Sequence, residues 1–147
     1  MRRSIIPILA FLLTACSPKE PADSVQTGSA PHIFPDYTDV TIPGNIAPTN
    51  FLIEEVGQDY VTVLQAGSDR VTIGGNSVRI PFRKWQKLTQ SPEIKVTVYV
   101  QKEGKWNAYN PFTLTVSDDI DPYISYRIIP VAVESYEKLS IRQRNIT

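Results

Sequence analysis

The chain has 147 residues, of which 41% are hydrophobic and 20% charged, a balance that fits one folded domain and excludes a disordered or collagen-like polypeptide. Its 15 lysines and arginines equal its 15 aspartates and glutamates, so no basic excess is present to neutralise a phosphate backbone, and nucleic acid is not expected as a partner. One cysteine and one histidine cannot form a disulfide, a zinc cluster or an iron–sulfur site, so the sequence predicts no cofactor.

The first residues have the pattern of an export signal. Two arginines precede an apolar run over residues 5–15, which is too short to cross a bilayer, because a transmembrane helix needs about 20 apolar residues. The run ends in Leu13-Thr14-Ala15-Cys16, which resembles the lipobox of bacterial lipoproteins, where the signal is cut before the cysteine and the sulfur receives a diacylglycerol. We therefore expect a signal peptide over 1–15 and a lipid-anchored Cys16, with a plain secretory signal as the alternative.

Cleavage before Cys16 determines the charge of the mature chain. It removes two arginines and no acidic residue, which leaves 13 basic and 15 acidic residues and a net charge of −2, so the body itself is not expected to adhere to anionic lipid. Two or three acyl chains anchor a protein stably, whereas one gives only marginal binding. The sequence thus predicts a lipoprotein of the cell envelope, held to the outer membrane, with its body in the periplasm or at the cell surface.

The composition divides the mature chain into three parts. Residues 16–38 are rich in proline and small polar residues, with too little apolar surface to offset the entropy of ordering them, which predicts a flexible spacer. Residues 39–130 carry the strand patterns and are predicted to be the folded domain. Residues 131–147 form an uncertain tail, with a short helix around 134–139 as one option, and the chain stops as at a connection to a further domain.

Alternation of apolar and polar residues indicates a β-rich domain. Residues 93–101 place four aliphatic side chains on one face, a pattern typical of a half-buried strand. A turn containing Gly104 and a second alternating run at 112–116 predict a long hairpin whose return arm is irregular around Asn110-Pro111. Shorter β-branched runs bring the total to about seven strands: they lie at 40–42, 51–53, 60–64, 70–73 and 77–80. Residues 123–129 alternate only weakly.

A single internal segment favours a helix. After Pro81, the residues Phe82, Trp85 and Leu88 are spaced to share one face of a two-turn helical crossover. With short strands and frequent turns, this predicts an all-β fold, a single antiparallel β-sandwich of the fibronectin or immunoglobulin-like kind without a disulfide. A small open barrel is the competing architecture.

Two groups of side chains are candidates for binding. Tyr99, Trp106 and Tyr109 lie along the same hairpin and are predicted as a possible stacking platform for a sugar ring or a partner's side chain, with packing at the core edge as the alternative. Asp118, Asp119 and Asp121 are weak candidates for calcium ligands, and because a calcium loop needs a glycine and further alternating oxygens, no metal site is predicted.

Catalytic chemistry has little support in the sequence. The aspartates at 118–121 would have to converge with Glu54 to give an acid–base pair, and the chain alone does not show that separation. The only histidine, His32, lies in the proline-rich approach to the domain and is interpreted as an exposed polar residue. The sequence therefore predicts a protein that is not an enzyme.

Four blocks of the chain, at 34–51, 104–112, 120–127 and 141–145, resemble the N-terminal module of bacterial TolB-like β-propeller lipoproteins, sometimes called cytochrome c biogenesis proteins. The resemblance implies a β-rich module followed by a haem-type Cys-x-x-Cys-His motif and a propeller, and this chain stops before that motif, as expected of either a truncated gene product or a split reading frame. For this chain, the resemblance therefore implies only a β-rich architecture and a location in the cell envelope.

These observations predict a non-catalytic accessory or interaction module of the cell envelope, held to the membrane by acylated Cys16. Its expected partners are the membrane, through the lipid, and an envelope protein or glycan. The alternative is a carbohydrate-binding module that uses Trp106, Tyr99 and Tyr109 as exposed aromatic side chains.

Overall fold

A computed structural model describes residues 18–128 and 140–145 of the chain. Cys16, the predicted signal peptide and the optional helix at 134–139 lie outside these residues. The described elements, in chain order, are β1 (Val25–Gln26), β2 (Ile33–Phe34), β3 (Thr41–Pro43), β4 (Phe51–Ile53), β5 (Asp59–Ala66), β6 (Asp69–Gly74), β7 (Ser77–Val78), α1 (Phe82–Leu88), β8 (Glu93–Lys102), β9 (Lys105–Ala108), β10 (Phe112–Ser117), β11 (Tyr123–Ile128) and β12 (Ser140–Asn145).

The larger sheet has seven strands and is organised around β8. One side of β8 pairs antiparallel with β5, which in turn pairs with β6. The other side pairs with β9 and with β10 at opposite ends, so the interruption at residues 109–111 divides the return arm into two strands. The predicted hairpin with an irregular return arm is therefore confirmed. At the outer edges, β1 and β3 pair in parallel with β9 and β10, which the prediction of a purely antiparallel fold did not include.

A second sheet, β2-β4-β7, packs on the large sheet and closes the core. The alternating side chains Ile94, Val96, Val98 and Val100 of β8 are fully buried and form the centre of one layer. The facing layer contributes apolar residues from all three short strands: Ile33, Phe51, Ile53 and Val78. Two sheets packed through one apolar layer define a sandwich, so the all-β prediction is confirmed.

The helix α1 has the predicted bounds but not the predicted buried face. Trp85 and Leu88 are buried, whereas the side chain of Phe82 is 58% exposed. At 3.6 residues per turn, positions 82 and 88 lie roughly 120° apart around the helix. A buried face centred on Trp85 and Leu88 therefore leaves Phe82 outside it. The indole N–H of Trp85 donates to the carbonyl oxygen of Ile46 at 2.9 Å, which ties the helix to the loop after β3.

The prediction of a flexible spacer over residues 16–38 is wrong for its described part. Strand β1 pairs with β9, β2 pairs with β4, and Pro31 and Ile33 are buried. Although the segment is poor in apolar residues, a few apolar side chains, combined with backbone hydrogen bonds to neighbouring strands, are enough to order it. The folded unit therefore includes residues from Pro18 onward and does not begin at residue 39.

The strands β11 and β12 form a separate two-stranded antiparallel ribbon, so the weak alternation at 123–129 does indicate a strand, and the predicted tail contains another. The ribbon leaves large apolar side chains exposed: these are Tyr123, Ile124, Tyr126 and Ile141.

Candidate functional site

The segment from residue 18 to residue 28, here called the N-terminal strap, lies across the outer face of the large sheet. Pro18 packs on Gly74 of β6, where an added Cβ would stand 3.2 Å from the proline ring. Glu20 pairs with Arg70 of β6 and accepts a hydrogen bond from the hydroxyl of Tyr99. The strap then continues into β1 at the opposite edge. The described residues from Pro18 onward are thus part of the fold.

The strap explains why Tyr99 is buried although it points away from the main core. Its ring packs with Val61, Val63 and Ala108, in a second apolar cluster on the outer face, and only 8% of the residue is exposed. Alternation along β8 had correctly placed Tyr99 opposite the aliphatic side chains. It could not reveal that a distant segment covers that face.

The predicted aromatic platform is not formed. Tyr99 and Tyr109 are both buried, and Trp106 is half-buried against the outer cluster. Tyr109 belongs to the main core, whereas Tyr99 belongs to the outer cluster, so the three rings do not present one exposed stacking surface. The alternative that the sequence left open, packing at the edge of a small core, describes these residues, and the prediction of exposed aromatics is wrong.

A polar cluster that the sequence did not predict joins the end of β8 to the loop after β4. The hydroxyl of Tyr109 donates to Oε2 of Glu55 at 2.7 Å, and Nζ of Lys102 donates to the Tyr109 oxygen at 2.8 Å and to the same carboxylate oxygen at 3.2 Å. The backbone N–H of His32 contributes a longer hydrogen bond of 3.4 Å to Oε1 of Glu55. The cluster therefore connects β8, the 54–58 loop and the start of β2.

The pKa values in this cluster move away from neutrality. Burial raises the pKa of the Glu55 carboxyl, but hydrogen bonds from Tyr109, Lys102 and the His32 backbone, with the charge of Lys102, bring it below its ordinary value. The pKa of Lys102 is raised, mainly through its hydrogen bond to Tyr109, and burial together with Glu55 raises the pKa of Tyr109. A general acid or base works best with a pKa near the working pH. This arrangement therefore suits stabilisation better than proton transfer.

We expect Glu55→Gln to lower the free energy of unfolding by roughly 1.5 kcal/mol at pH 7, because hydrogen bonds to charged groups contribute about that much. The carboxyl has a lower pKa folded than unfolded, so its contribution is complete above the ordinary pKa of about 4.3 and disappears as the pH falls through the folded value. Urea unfolding of both proteins at pH 7 and pH 3.5 measures this. Glu54→Gln, at the exposed neighbouring position, is the matched control. If the difference in unfolding free energy between wild type and Glu55→Gln were the same at both pH values, the prediction would be contradicted.

The three candidate aspartates lie beside different neighbours in the chain and in space. Asp121 accepts a hydrogen bond from the backbone N–H of Tyr123 at 2.9 Å, and an added Cβ at Gly44 would stand 2.9 Å from Oδ1 of Asp119. The backbone carbonyl of Asp118 accepts from the Ser117 hydroxyl. Among residues 18–128 and 140–145, no three His, Cys, Asp or Glu side chains are grouped so that they could hold a metal ion. Glu54 and Asp119 line different cavities.

A groove of about 980 Å³ runs between α1 and the loop after β3. Its walls include Phe82, Arg83 and Lys87 from the helix and Pro48 from the loop, and Asp119 also lines it. The amino-acid sequence carries a signal for this region in its local charge. Residues 70–92 contain five cations and no acidic residue, a local charge asymmetry hidden by the neutral total.

No known protein family, curated protein or solved structure matches this chain. In the described part, no helix has the length and apolar character needed to cross a membrane.

Proposed function

We propose that the protein is a cell-envelope lipoprotein, anchored through acylated Cys16, whose folded part is a non-catalytic accessory or interaction module. The observation that carries the proposal is the sequence Leu13-Thr14-Ala15-Cys16 at the end of a short basic and apolar leader. The fold is compatible with it, because the described residues that follow the leader, from Pro18 onward, pack on the large sheet. The resemblance to the N-terminal module of TolB-like lipoproteins is part of the same proposal.

Two further observations support the non-catalytic part of the proposal. The Glu55–Lys102–Tyr109 cluster has pKa values displaced away from neutrality, and the carboxylate of Asp121 accepts a hydrogen bond from the backbone of Tyr123 within its own loop. The ribbon of β11 and β12 supplies the surface for an envelope protein in this proposal. A two-stranded ribbon alone is marginally stable in water, so contact of its exposed apolar residues with a partner would stabilise it.

The test uses the full chain expressed in a diderm bacterial host. We expect the wild-type protein to enter the detergent phase on Triton X-114 partitioning, and intact-mass analysis to give the chain from Cys16 onward with its acyl chains. Cys16→Ser is expected to carry no acyl chain, because no thiol is left to alkylate. It should therefore be found either in the aqueous phase or, by its mass, as the uncleaved precursor. Ser24→Ala, in the exposed part of the strap, is the matched control. A Cys16→Ser protein that is processed and partitions like the wild type would contradict the proposal.

A further inference from the structure

Charge is strongly segregated along the chain. Residues 18–69 contain eight acidic residues and a single lysine, whereas residues 70–92 contain five lysines and arginines and no acidic residue. The second segment forms β7, α1 and the part of β6 from Arg70 onward, while β6 itself begins at the exposed Asp69, and α1 contacts β6. The cations are therefore concentrated on one edge of the sandwich.

Four of these cations are free to face a partner. Arg79, Arg83, Lys84 and Lys87 are exposed, and none has an ion pair among the described residues, whereas Arg70 is held by Glu20 of the strap. Phe82 stands beside them with 58% of its surface exposed. An exposed aromatic ring among cations is the composition of a surface that meets lipid headgroups and the outer acyl region. Among the described residues that line the groove beside α1, Asp119 carries a negative charge.

The proposed lipid anchor emerges at this edge. Pro18 packs on Gly74, the last residue of β6, and β6 pairs only with β5 among the described strands. Two residues of extended chain span at most about 7 Å, so an acyl group on Cys16 is attached close to β6. With the strap folded on the sheet, there is no long spacer to hold the basic edge away from the bilayer.

We propose that the edge formed by β6 and α1 is a membrane-contacting surface that binds anionic phospholipid, with Arg79, Arg83, Lys84 and Lys87 facing the headgroups and Phe82 at the interface. The inference rests on the proposed acylation of Cys16, which brings this edge to the bilayer. The net charge of −2 does not oppose it, because charges separated by more than about 8 Å are largely screened at physiological ionic strength. Cationic contacts and acyl chains are the two signals that together give firm, oriented attachment.

The experiment uses the acylated full chain reconstituted in vesicles of phosphatidylcholine, with or without 30% phosphatidylglycerol. Acylation consumes the only native thiol, so Gln86→Cys, on the exposed face of α1, accepts a single fluorophore without removing a cation. Thr115→Cys, exposed on β10, is the matched control position. Quenching by headgroup-labelled nitroxide lipid reports how closely each position approaches the bilayer.

We expect stronger quenching at position 86 than at position 115, and a further increase with phosphatidylglycerol that disappears in 0.5 M salt. Neutralising Arg83, Lys84 and Lys87 to glutamine is expected to weaken the contact about fivefold for each cation, while Lys105→Gln on β9 leaves it unchanged. Circular dichroism verifies that the variants are folded. Equal quenching at both positions, or no dependence on phosphatidylglycerol, would overturn the inference while the acylated mass still supports the anchor. An unacylated mass would overturn the proposed function instead.

Discussion

Replacing Trp85 with alanine is expected to lower the free energy of unfolding by about 3–5 kcal/mol. Trp85 is 1% exposed in the main core, and its indole N–H satisfies the carbonyl oxygen of Ile46, so truncation opens a cavity and leaves a polar atom without its donor. Domains of this size have a free energy of unfolding of about 5–15 kcal/mol, so Trp85→Ala is expected to remove a large part of it. Thermal unfolding followed by circular dichroism should show a midpoint about 12–20 °C lower.

Two variants separate the contributions at this position. Trp85→Phe keeps an aromatic ring but removes the N–H donor, so its cost is expected to lie well below that of alanine. Phe82→Ala, on the same helix but 58% exposed, should change the midpoint by a few degrees at most. If Phe82→Ala destabilised the protein as much as Trp85→Ala, the assignment of the buried face of α1 would be wrong.

Replacing Tyr99 with alanine is expected to release the N-terminal strap and to cost roughly 3 kcal/mol, near the lower limit for a buried aromatic residue. The ring fills the outer cluster with Val61 and Val63, and its hydroxyl holds Glu20. Hydrogen exchange should show faster exchange of the Thr27 amide, which donates to the carbonyl of Ala108 at 2.9 Å in the wild type. The amides of β8 that face β5 should change much less.

The comparison for this prediction is Tyr126→Ala on the β11–β12 ribbon, where the side chain is 40% exposed. It removes a tyrosine of the same size without touching the strap. Equal protection of the Thr27 amide in the Tyr99→Ala and wild-type proteins would show that the strap is held by other contacts.

The strands of the main sheet and the helix could be predicted because their signals are local. Alternation along β8 and the turn at Gly104 both depend on neighbours in the chain, and the structure reproduces them. The strap could not be predicted, because its order comes from hydrogen bonds and apolar contacts made 50 to 80 residues away, such as Glu20 with Arg70 and Tyr99. Composition reports what a segment can bury, and it does not report which surface another segment offers.

The candidate site shows the same division. The lipobox-like sequence at Cys16 is contiguous, so the hypothesis of acylation could be formed from neighbouring residues alone, and it stays a prediction. The Glu55–Lys102–Tyr109 cluster joins residues up to 54 positions apart, and nothing near Glu55 distinguishes it from its exposed neighbour Glu54. The aromatic residues were correctly located on one hairpin, but their exposure depended on the strap and on the second sheet. The basic segment at 70–92 can be read from the sequence, but the zero net charge of the whole chain conceals it.

The position of the strap also determines how the domain would respond to a pulling force. Tension applied from the N-terminal side, where the proposed anchor lies, would reach Pro18 before the other described residues and would detach the strap with little resistance at β1, which pairs through two residues. Each detached residue adds about 3.3 Å of extended chain, so the eleven residues from 18 to 28 represent roughly 35 Å of reserve length. Under the proposed acylation, the same segment would keep the domain close to the bilayer when relaxed and would lengthen the tether when pulled.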